Sequence, residues 1–340
     1  MRIALVSDAW APQVNGVVRT LTTTVARLRA LGHAVETITP DQFATVSCPT
    51  YPEIRLALLA GPAIARRLAA FGPEAVHIAT EGPLGWATRR WCLDRGFPFT
   101  TSFHTRFPDY LAMRTKLPAD WFWPPVRRFH APAERVYAAT PTLAAELHRR
   151  GLARTHRWSR GVDLTLFTPD GAPHPAFADL PRPIHLHVGR VAVEKNIEAF
   201  LALDVPGSKV VVGEGPALAT LRARYPAVHF LGALHGAPLA AAYRGADVLV
   251  FPSRTDTFGL VMVEALASGT PVAAYPVPGP LDVLDTPTVG VMAEDLGTAV
   301  RIALGADREA CATAGRRYDW SVCTAQFLDG LVPLAQAVAA

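Results

Sequence analysis

The stretch TDTFGLVMVEALASG, Thr255 to Gly269, follows a strand-like run, ADVLVFPS, at residues 246–253. The run predicts a buried strand, and the apolar residues after Gly259 predict a helix. A strand, a short loop and a helix form the repeating unit of a doubly wound α/β sheet. The stretch therefore decides the fold class, and it places Asp256 in the loop and Glu264 inside the helix.

The same alternation of short apolar strands and amphipathic helices occupies most of the chain. It lapses at 166–183, where closely spaced prolines exclude regular elements. We therefore predict two doubly wound, Rossmann-like domains, over 1–165 and 184–318, joined by this Pro-rich linker. A further helix is predicted over 319–340, and the sequence does not show which domain it packs on. The two sheets are expected to face each other across a cleft, the usual ligand site of such sheets.

The composition is that of a globular protein of two domains, with 340 residues, 50% of them hydrophobic and 18% charged. Its four cysteines show no metal-ligand spacing and are too few to staple the chain, which predicts a reducing cytoplasm and no structural metal. The first residues do not resemble a signal peptide, and no uncharged run can cross a bilayer as one helix. We therefore expect a mature N-terminus and no transmembrane segment.

The charge is distributed unevenly. Residues 1–170 carry 21 Lys and Arg against 13 Asp and Glu, whereas residues 171–340 carry 12 against 16. A basic half can face the phosphates of a nucleic acid, an anionic lipid or a nucleotide, and charge alone does not choose among them.

The loop and helix of the opening stretch predict an anion site. The backbone amides of Phe258, Gly259 and Leu260 lie near a helix N-terminus, where amides lack acceptors and the helix dipole favours negative charge. Glu264 is the only charged residue from Thr257 to Leu281, so a buried carboxylate there needs hydrogen-bond donors. Two ribose hydroxyls would serve, and a structural ion pair or cap is the alternative.

A second cationic group follows another strand-like run. In HVGRVAVEKN, Gly189 allows a tight turn, and Arg190 and Lys195 come directly after the strand. A guanidinium and an ammonium at a ligand site can neutralise the charge that grows on a diphosphate leaving group. Two solvated surface charges are the alternative reading of the same residues.

The N-terminal half offers fewer signals. Gly16 opens the first predicted helix, where a phosphate or sugar could approach the backbone, but the G-x-G-x-x-G of a dinucleotide-binding oxidoreductase is missing there. His104 follows a strand and could bond a sugar or an acceptor hydroxyl, although a lone His is more often structural. Asp163, beside the predicted linker, could order a hinge or meet a ligand.

Several segments, in order along nearly the whole chain, resemble the retaining glycosyltransferases of family 4. The matching segments are NGVVRTL, SFHTRFPDY, RGVD, GRVAVEKN, VGEGP and DTFGLVMVEALASGTPV. The resemblance implies the GT-B fold of two Rossmann-like domains and transfer of sugar from a nucleotide-diphosphate donor with retention of configuration. It also implies that no cofactor and no divalent metal are needed.

The resemblance also implies roles for single residues. It assigns Glu264 to the donor ribose and Arg190 and Lys195 to the diphosphate. Gly16 and the backbone amides of Phe258 to Leu260 would line the donor site. His104 would lie beside the transferred sugar. Asp256 stands where the family usually has Glu, so its contact to the sugar hydroxyls is left open.

The segment from Arg114 to Arg135 mixes aromatic and basic residues, which suits a membrane interface as well as an ordinary core with solvated cations. The residues concerned are Trp121, Phe122, Trp123, Phe129, Arg114, Lys116, Arg127, Arg128 and Arg135. The resemblance is greatest to transferases that decorate diacylglycerol and related lipids with sulfoquinovosyl, glucuronosyl, glucosyl or mannosyl groups. We therefore predict a cytoplasmic enzyme, peripheral on the inner membrane face, with a lipid acceptor and an anionic membrane surface as partners.

The donor and the reaction retain alternatives. A UDP-hexose or UDP-hexuronate is the preferred donor, and GDP-mannose stays open because no residue is seen to read the base. A soluble enzyme that acts on lipopolysaccharide or an oligosaccharide is the nearest rival. A nucleotide-sugar epimerase or a binding protein without transferase activity would use the same ribose and diphosphate contacts. A nucleic-acid partner is not expected, because no recognised module is present.

Overall fold

The computed structural model describes residues 1–13, 15–48 and 51–334, with the side chains of 51–53 and 114 left aside. The chain forms two compact units. Unit 1 comprises Met1–Ser159 and the segment that begins at Ser321, and unit 2 comprises Arg160–Trp320. Each unit contains a six-stranded sheet.

The first pass of the chain through unit 1 alternates strands and helices. Its strands are β1 (Arg2–Val6), β2 (Ala34–Ile38), β3 (Thr45–Cys48), β4 (Tyr51–Ala57), β5 (Ala75–Ile78), β6 (Phe99–Ser102), β7 (Arg135–Ala138) and β8 (Thr155–Arg157). Its helices are α1 (Gly16–Ala30), α2 (Gly61–Phe71), α3 (Pro83–Leu93), α4 (Phe107–Thr115), α5 (Trp123–His130) and α6 (Pro141–Arg149).

The sheet of unit 1 is parallel throughout, in the order β2-β1-β5-β6-β7-β8. Strands β3 and β4 pair separately as an antiparallel hairpin. Every residue of β5 and β6 is buried, as expected for strands that helices cover on both faces. The order reverses between β1 and β5, so the loops after these two strands form the switch point of unit 1.

Unit 2 repeats the alternation. Its strands are β9 (Ile184–Val188), β10 (Ser208–Val212), β11 (His229–Gly232), β12 (Val248–Phe251), β13 (Val272–Ala274) and β14 (Gly290–Met292). Its helices are α7 (Ile197–Leu201), α8 (Leu218–Arg224), α9 (Gly236–Gly245), α10 (Leu260–Ala267), α11 (Pro280–Val283), α12 (Leu296–Ala303) and α13 (Arg308–Gly315).

The sheet of unit 2 is also parallel, in the order β11-β10-β9-β12-β13-β14. With β9 counted first, this is the 3-2-1-4-5-6 order of the Rossmann fold. The direction of winding reverses between β9 and β12, so their loops form the switch point, where open α/β sheets bind ligands. Two doubly wound, Rossmann-like domains were predicted from the sequence, and this prediction is confirmed.

The Pro-rich segment 166–183 was predicted to be a linker between the two domains. In the structure it belongs to unit 2 and packs on it. Phe177 is buried, the backbone N–H of His174 donates to the carbonyl of Ala241 on α9 at 3.0 Å, and Gly245 at the end of α9 lies against Phe177. The prolines do exclude long regular elements, but they do not prevent burial of an aromatic anchor. The chain instead passes from unit 1 to unit 2 at Ser159 and Arg160.

The last helix, α14 (Trp320–Gly330), packs on unit 1 after its first residue, an assignment that the sequence left open. Its backbone carbonyl at Phe327 accepts a hydrogen bond of 2.9 Å from the hydroxyl of Tyr137, and Gln326 Oε1 accepts from the backbone N–H of Ser159 at 2.8 Å. Residues 335–340 of the predicted C-terminal helix lie outside the described residues.

The two ends of unit 2 lie side by side. Val162 and Asp319 form a parallel β-bridge, and the backbone N–H of Val162 donates to the carbonyl of Tyr318 at 2.7 Å. Trp320 packs directly on Gly161, where a Cβ atom would lie 2.3 Å from the indole. The segment that enters unit 2 is therefore fastened to the segment that leaves it.

The helices are short. The longest in the described ranges is α1, with 15 residues, and a helix of that length spans about 22 Å, less than the hydrocarbon core of about 30 Å. Within residues 1–13, 15–48 and 51–334, no helix has both the length and the apolar character needed to cross a membrane.

Candidate active site

Two loops meet at the switch point of unit 2. The loop after β9 contains the 3-10 turn Val193–Lys195, and the loop after β12 carries Asp256. Lys195 Nζ lies 2.5 Å from Asp256 Oδ1, and Asn196 Nδ2 donates to the carbonyl of Pro252 at 3.1 Å. These contacts hold the two loops together across 61 and 56 residues of sequence.

The ion pair between Lys195 and Asp256 is largely protected from solvent, with side chains 24% and 16% exposed. Burial by itself raises the pKa of Asp256, but attraction to Lys195 and hydrogen bonds from Lys195 and Ser253 outweigh it, so the pKa lies below its usual value. Burial also lowers the pKa of the neighbouring His187 to about 4, and the positive charge of Lys195 lowers it further. Asp256 is therefore a carboxylate, and His187 is neutral, at physiological pH.

Arg190 stands at the same edge of the sheet and has a carboxylate partner of its own. Its Nη1 lies 3.8 Å from Glu194 Oε1, and its side chain is 37% exposed. The sequence suggested that Arg190 and Lys195 act together on one anion. The structure shows each of them beside an acidic residue, so an incoming diphosphate would have to share or displace two carboxylates.

The glycines of the VGEGP segment allow β10 to end against the loop after β9. A Cβ atom on Gly213 would lie 1.9 Å from the carbonyl oxygen of Gly189, and one on Gly215 would lie 2.4 Å from that of Val191. Backbone atoms cannot move aside as flexible side chains can, so only glycine fits at these two positions. The same approach fixes Gly189 directly after β9, next to Arg190.

The start of α10 has the features of an anion site. Gly259, the residue before the helix, has φ 85° and is tightly enclosed, because a Cβ there would lie 2.8 Å from Met262 Cε and 2.9 Å from Phe251 Cζ. No side chain caps the helix, so the amides of Leu260 and Val261 have no intrahelical acceptor, while that of Met262 donates to the carbonyl of Gly259 at 2.9 Å. Phe258 is buried, with its ring 5.7 Å from that of Tyr318.

Glu264 lies in the second turn of α10 and is 2% exposed. Its Oε2 accepts a hydrogen bond of 2.8 Å from the hydroxyl of Tyr243, a fully buried residue on α9. The ring of Tyr243 packs edge to face on Phe167 at 5.8 Å, so its hydroxyl is held in place. The sequence analysis missed Tyr243, because nothing in the motif marks a partner 21 residues away.

Unit 1 contains two of the predicted site residues. Gly16 is the exposed first residue of α1, and the preceding Asn15 caps this helix by accepting from the amides of Val17 and Val18, both at 3.0 Å. Gly16 thus stands beside the switch point of unit 1. It is open to solvent, and its role toward a ligand stays a prediction.

His104 follows β6 and is 6% exposed. Its ring packs edge to face on Trp158, with centroids 5.5 Å apart. Two residues later, Arg106 forms ion pairs with Asp109 and Glu146. The His104 ring is therefore held at the carboxyl edge of the sheet of unit 1, and its contact to a sugar stays a prediction.

Asp163 lies at the beginning of unit 2, exposed to solvent. Its Oδ1 accepts from the backbone N–H and the hydroxyl of Thr165, at 3.0 and 2.7 Å, and from the N–H of Leu166 at 3.3 Å. Of the two roles that the sequence left open, these bonds favour local ordering of the chain at the entrance to unit 2.

The predicted site residues are thus distributed over both units. Unit 2 collects most of them at the carboxyl edge of one sheet, namely Gly189, Arg190, Lys195, Asp256, Phe258, Gly259, Leu260 and Glu264. No group of three or more His, Cys, Asp or Glu in the described part of the chain could hold a metal ion. Independence from metal stays a prediction.

The chain matches two family models. The model described as Glycosyltransferase Family 4 matches residues 14–166, and the model described as Glycosyl transferases group 1 matches residues 182–304. The two matches fall on the two Rossmann-like halves.

Known proteins resemble the chain over most of its length. The GDP-mannose-dependent alpha-mannosyltransferase of Mycolicibacterium smegmatis is 33% identical over 86% of this chain and 84% of its own. The sulfoquinovosyl transferase of Arabidopsis thaliana is 28% identical over 95% of this chain and 72% of its own. In fold, the chain is similar to the sucrose-phosphate synthase of Thermosynechococcus elongatus, with a TM-score of 0.79, 23% identity and coverage of 96% and 97%. The chain is therefore a glycosyltransferase that belongs to family 4 and has the GT-B fold.

Proposed function

We propose that this chain transfers a mannosyl group from GDP-mannose to a lipid acceptor, with retention of the anomeric configuration. The proposed donor site is supported by one arrangement in unit 2. An uncapped helix N-terminus, two cations and a buried glutamate follow neighbouring strands at the switch point of its Rossmann-like sheet. Such an edge suits a nucleoside diphosphate.

The diphosphate is proposed to lie against the first amides of α10, within reach of Arg190 and Lys195. Both cations have carboxylate neighbours, at 3.8 and 2.5 Å, so they are already held at this edge before the donor arrives. Their charge matters most as the glycosidic bond breaks, because negative charge then grows on the departing diphosphate. We propose that these two cations provide the charge and that no divalent metal or other cofactor is needed.

The ribose is proposed to bond to Glu264. A carboxylate that is 2% exposed costs free energy unless donors surround it. Tyr243 supplies one donor at 2.8 Å, and two ribose hydroxyls would add more. Since Tyr243 is buried, it would fix the carboxylate before the donor binds, so less ordering would be needed on binding.

The choice of GDP-mannose rests on the mannosyltransferase relative, which is 33% identical over most of both chains. The sequence analysis preferred a UDP-hexose or UDP-hexuronate. That donor stays the second candidate, because the contacts described above address the diphosphate and the ribose, which both nucleotides share.

The proposals of a lipid acceptor and of a peripheral position on the membrane are supported by exposed side chains of unit 1. Five apolar side chains on α4 and the following turn are each at least 41% exposed, namely Phe107, Leu111, Met113, Leu117 and Trp121. Two other aromatics of the predicted interface, Trp123 and Phe129, are core residues and do not contribute. Lys116, Arg127 and Arg128 are exposed in the same segment, while the side chain of Arg114 lies outside the described residues.

Retention is proposed to occur by attack of the acceptor hydroxyl on the face from which the diphosphate leaves. In that reaction the departing phosphate accepts the proton of the acceptor as the new glycosidic bond forms. Asp256 is held by Lys195, which disfavours it as a covalent nucleophile. His104 is proposed to bond the transferred sugar, and His104→Ala should then lower kcat more than it changes donor affinity.

The test is a donor and acceptor screen with mass spectrometry of the products. Purified enzyme is incubated with GDP-mannose, UDP-glucose or UDP-glucuronate, in the presence of lipid vesicles or soluble oligosaccharides, with and without EDTA. A mannosylated lipid and released GDP support the proposal. If a glycolipid forms only from a UDP-sugar, the proposed donor is wrong and the UDP-sugar takes its place. If a product forms only on oligosaccharides, the proposed lipid acceptor is wrong. Donor interconversion without acceptor would indicate an epimerase instead.

A further inference from the structure

Unit 1 has a pocket that the donor site does not use. It has a volume of about 330 Å³ and lies between α5, α6 and the 3-10 turn Ala119–Phe122. Its lining residues are Asp120, Trp123, Pro124, Arg127, Arg149, Arg150 and Gly151. The last three lie at the end of α6 and in the chain that leads to β8.

The pocket has an excess of positive charge. Three arginines line it, and Asp120 is its one acid. Arg150 forms an ion pair with Asp120, whereas the guanidinium groups of Arg127 and Arg149 form no ion pair or hydrogen bond with the described residues. Two cations that share a concave surface without counter-ions repel each other, and a bound anion would remove that cost.

The floor of the pocket is rigid. Trp123 is 3% exposed, and its indole stacks on Phe103 with centroids 5.7 Å apart and an interplanar angle of 8°. The guanidinium of Arg150 lies 4.7 Å from the centroid of the same indole. Stacking and the ion pair with Asp120 hold the Arg150 guanidinium over the indole at the edge of the pocket.

Guanidinium groups in this arrangement are suited to a phosphate. Arginine presents planar pairs of N–H donors that match two phosphate oxygens, and it is less strongly hydrated than lysine. The turn that lines the pocket also carries Trp121, which is 66% exposed, and Leu117 is exposed just before it. Exposed apolar side chains beside an anion site are typical of a surface that meets lipid headgroups and acyl chains together.

We propose that this pocket binds the phosphate of an anionic phospholipid in the bilayer, while the exposed apolar residues of α4 and the following turn enter the headgroup region. The inference rests on the proposed lipid acceptor, and it assigns the contact with the membrane to a defined site on unit 1. A free phosphate ester would use the same guanidinium groups, but it would leave Trp121 and Leu117 without a role.

Co-sedimentation of the full chain with vesicles tests the inference. The vesicles are pure phosphatidylcholine or equal parts of phosphatidylcholine and phosphatidylglycerol. The double variant Arg127→Gln with Arg149→Gln should lower the partition coefficient on phosphatidylglycerol vesicles by about 25-fold, since each cation at an anionic surface contributes about a factor of five. Both arginines are exposed, so the fold should be kept, and thermal unfolding checks this.

The matched control is the double variant Arg27→Gln with Arg66→Gln. These exposed arginines of α1 and α2 belong to the same unit, and their loss changes the net charge equally. We expect less than a threefold effect. Equal losses in the two double variants would overturn the pocket assignment, because net charge alone would then explain binding. Equal binding of the wild type to both kinds of vesicle would overturn it as well.

Two further measurements separate the remaining outcomes. Calorimetric titration with glycerol 3-phosphate tests the soluble source, and tight binding of it without any binding to vesicles would overturn the lipid assignment. Titration with GDP tests the donor site, which lies in unit 2. Loss of vesicle binding with intact GDP binding in the Arg127 and Arg149 variant supports the inference. Wild-type protein that binds vesicles but no nucleotide would contradict the proposed function and leave the pocket assignment standing.

Discussion

Replacing Glu264 by Gln tests the donor site at its most deeply buried acidic side chain. Glu264 is 2% exposed and accepts a bond of 2.8 Å from Tyr243. A glutamine has nearly the same volume, and its amide oxygen can accept the same bond. Since the change also removes the cost of burying a charge, the free energy of unfolding should not fall.

Donor binding should weaken in this variant. In the proposed complex the carboxylate accepts bonds from two ribose hydroxyls, and a bond to a charged acceptor contributes about 1 kcal/mol more than one to a neutral acceptor. Two such bonds correspond to about 2 kcal/mol, which is about a 30-fold increase in the Kd of GDP. GDP and GDP-mannose should be affected alike, because the ribose is common to both.

Isothermal titration calorimetry with GDP measures the effect, and thermal unfolding confirms the fold. The matched control is Glu309→Gln on α13, whose side chain is 74% exposed, pairs with Arg316 and is not among the proposed site residues. The control should bind GDP as the wild type does. A folded Glu264→Gln protein with a Kd within twofold of wild type would refute the ribose assignment and leave Glu264 as a structural partner of Tyr243.

Three other substitutions have defined outcomes. Tyr243→Phe removes the donor to a buried carboxylate and should lower the free energy of unfolding in urea by about 2 kcal/mol. The pKa of Asp256 in the folded protein lies below the ordinary 3.8. The stabilisation from its ion pair is therefore complete above pH 3.8 and disappears as the pH falls through the folded pKa. The stability gap between wild type and Asp256→Asn, from urea unfolding, should therefore be constant near neutral pH and close in acid. Gly213→Ala places a Cβ 1.9 Å from a backbone carbonyl and should cost about 3 kcal/mol by thermal unfolding, whereas Gly61→Ala, with nothing within 4 Å, should cost little.

Local patterns in the sequence were sufficient for much of the fold. A continuous apolar run predicted β12, the strand-like run IHLHV predicted β9, and the spacing of apolar residues predicted α1. The helix after Gly259 was also predicted, with the amides of its first turn as an anion site. In each case the signal lies within about ten residues, where backbone geometry relates sequence to structure directly.

Contacts between distant segments were not readable from the sequence. Lys195 and Asp256 are 61 residues apart, and each looked like a ligand-binding charge until the fold brought them together. The aromatic residues from Trp121 to Phe129 show the same limit. Trp121 is 66% exposed, whereas Trp123, two positions later, is 3% exposed because its indole stacks on Phe103, and Phe129 is fully buried against Trp86.

The bridge between Val162 and Asp319 has a practical consequence for dissecting the enzyme. Because the segments that enter and leave unit 2 are neighbours, unit 2 is an insertion whose ends meet, and such segments are good candidates for expression alone or for circular permutation. A gene fragment for residues 160–320 should yield unit 2 alone, on which the proposed binding of GDP can be measured. Joining residue 159 to residue 321 through a short glycine linker should yield unit 1 alone, on which the proposed vesicle binding can be measured without unit 2.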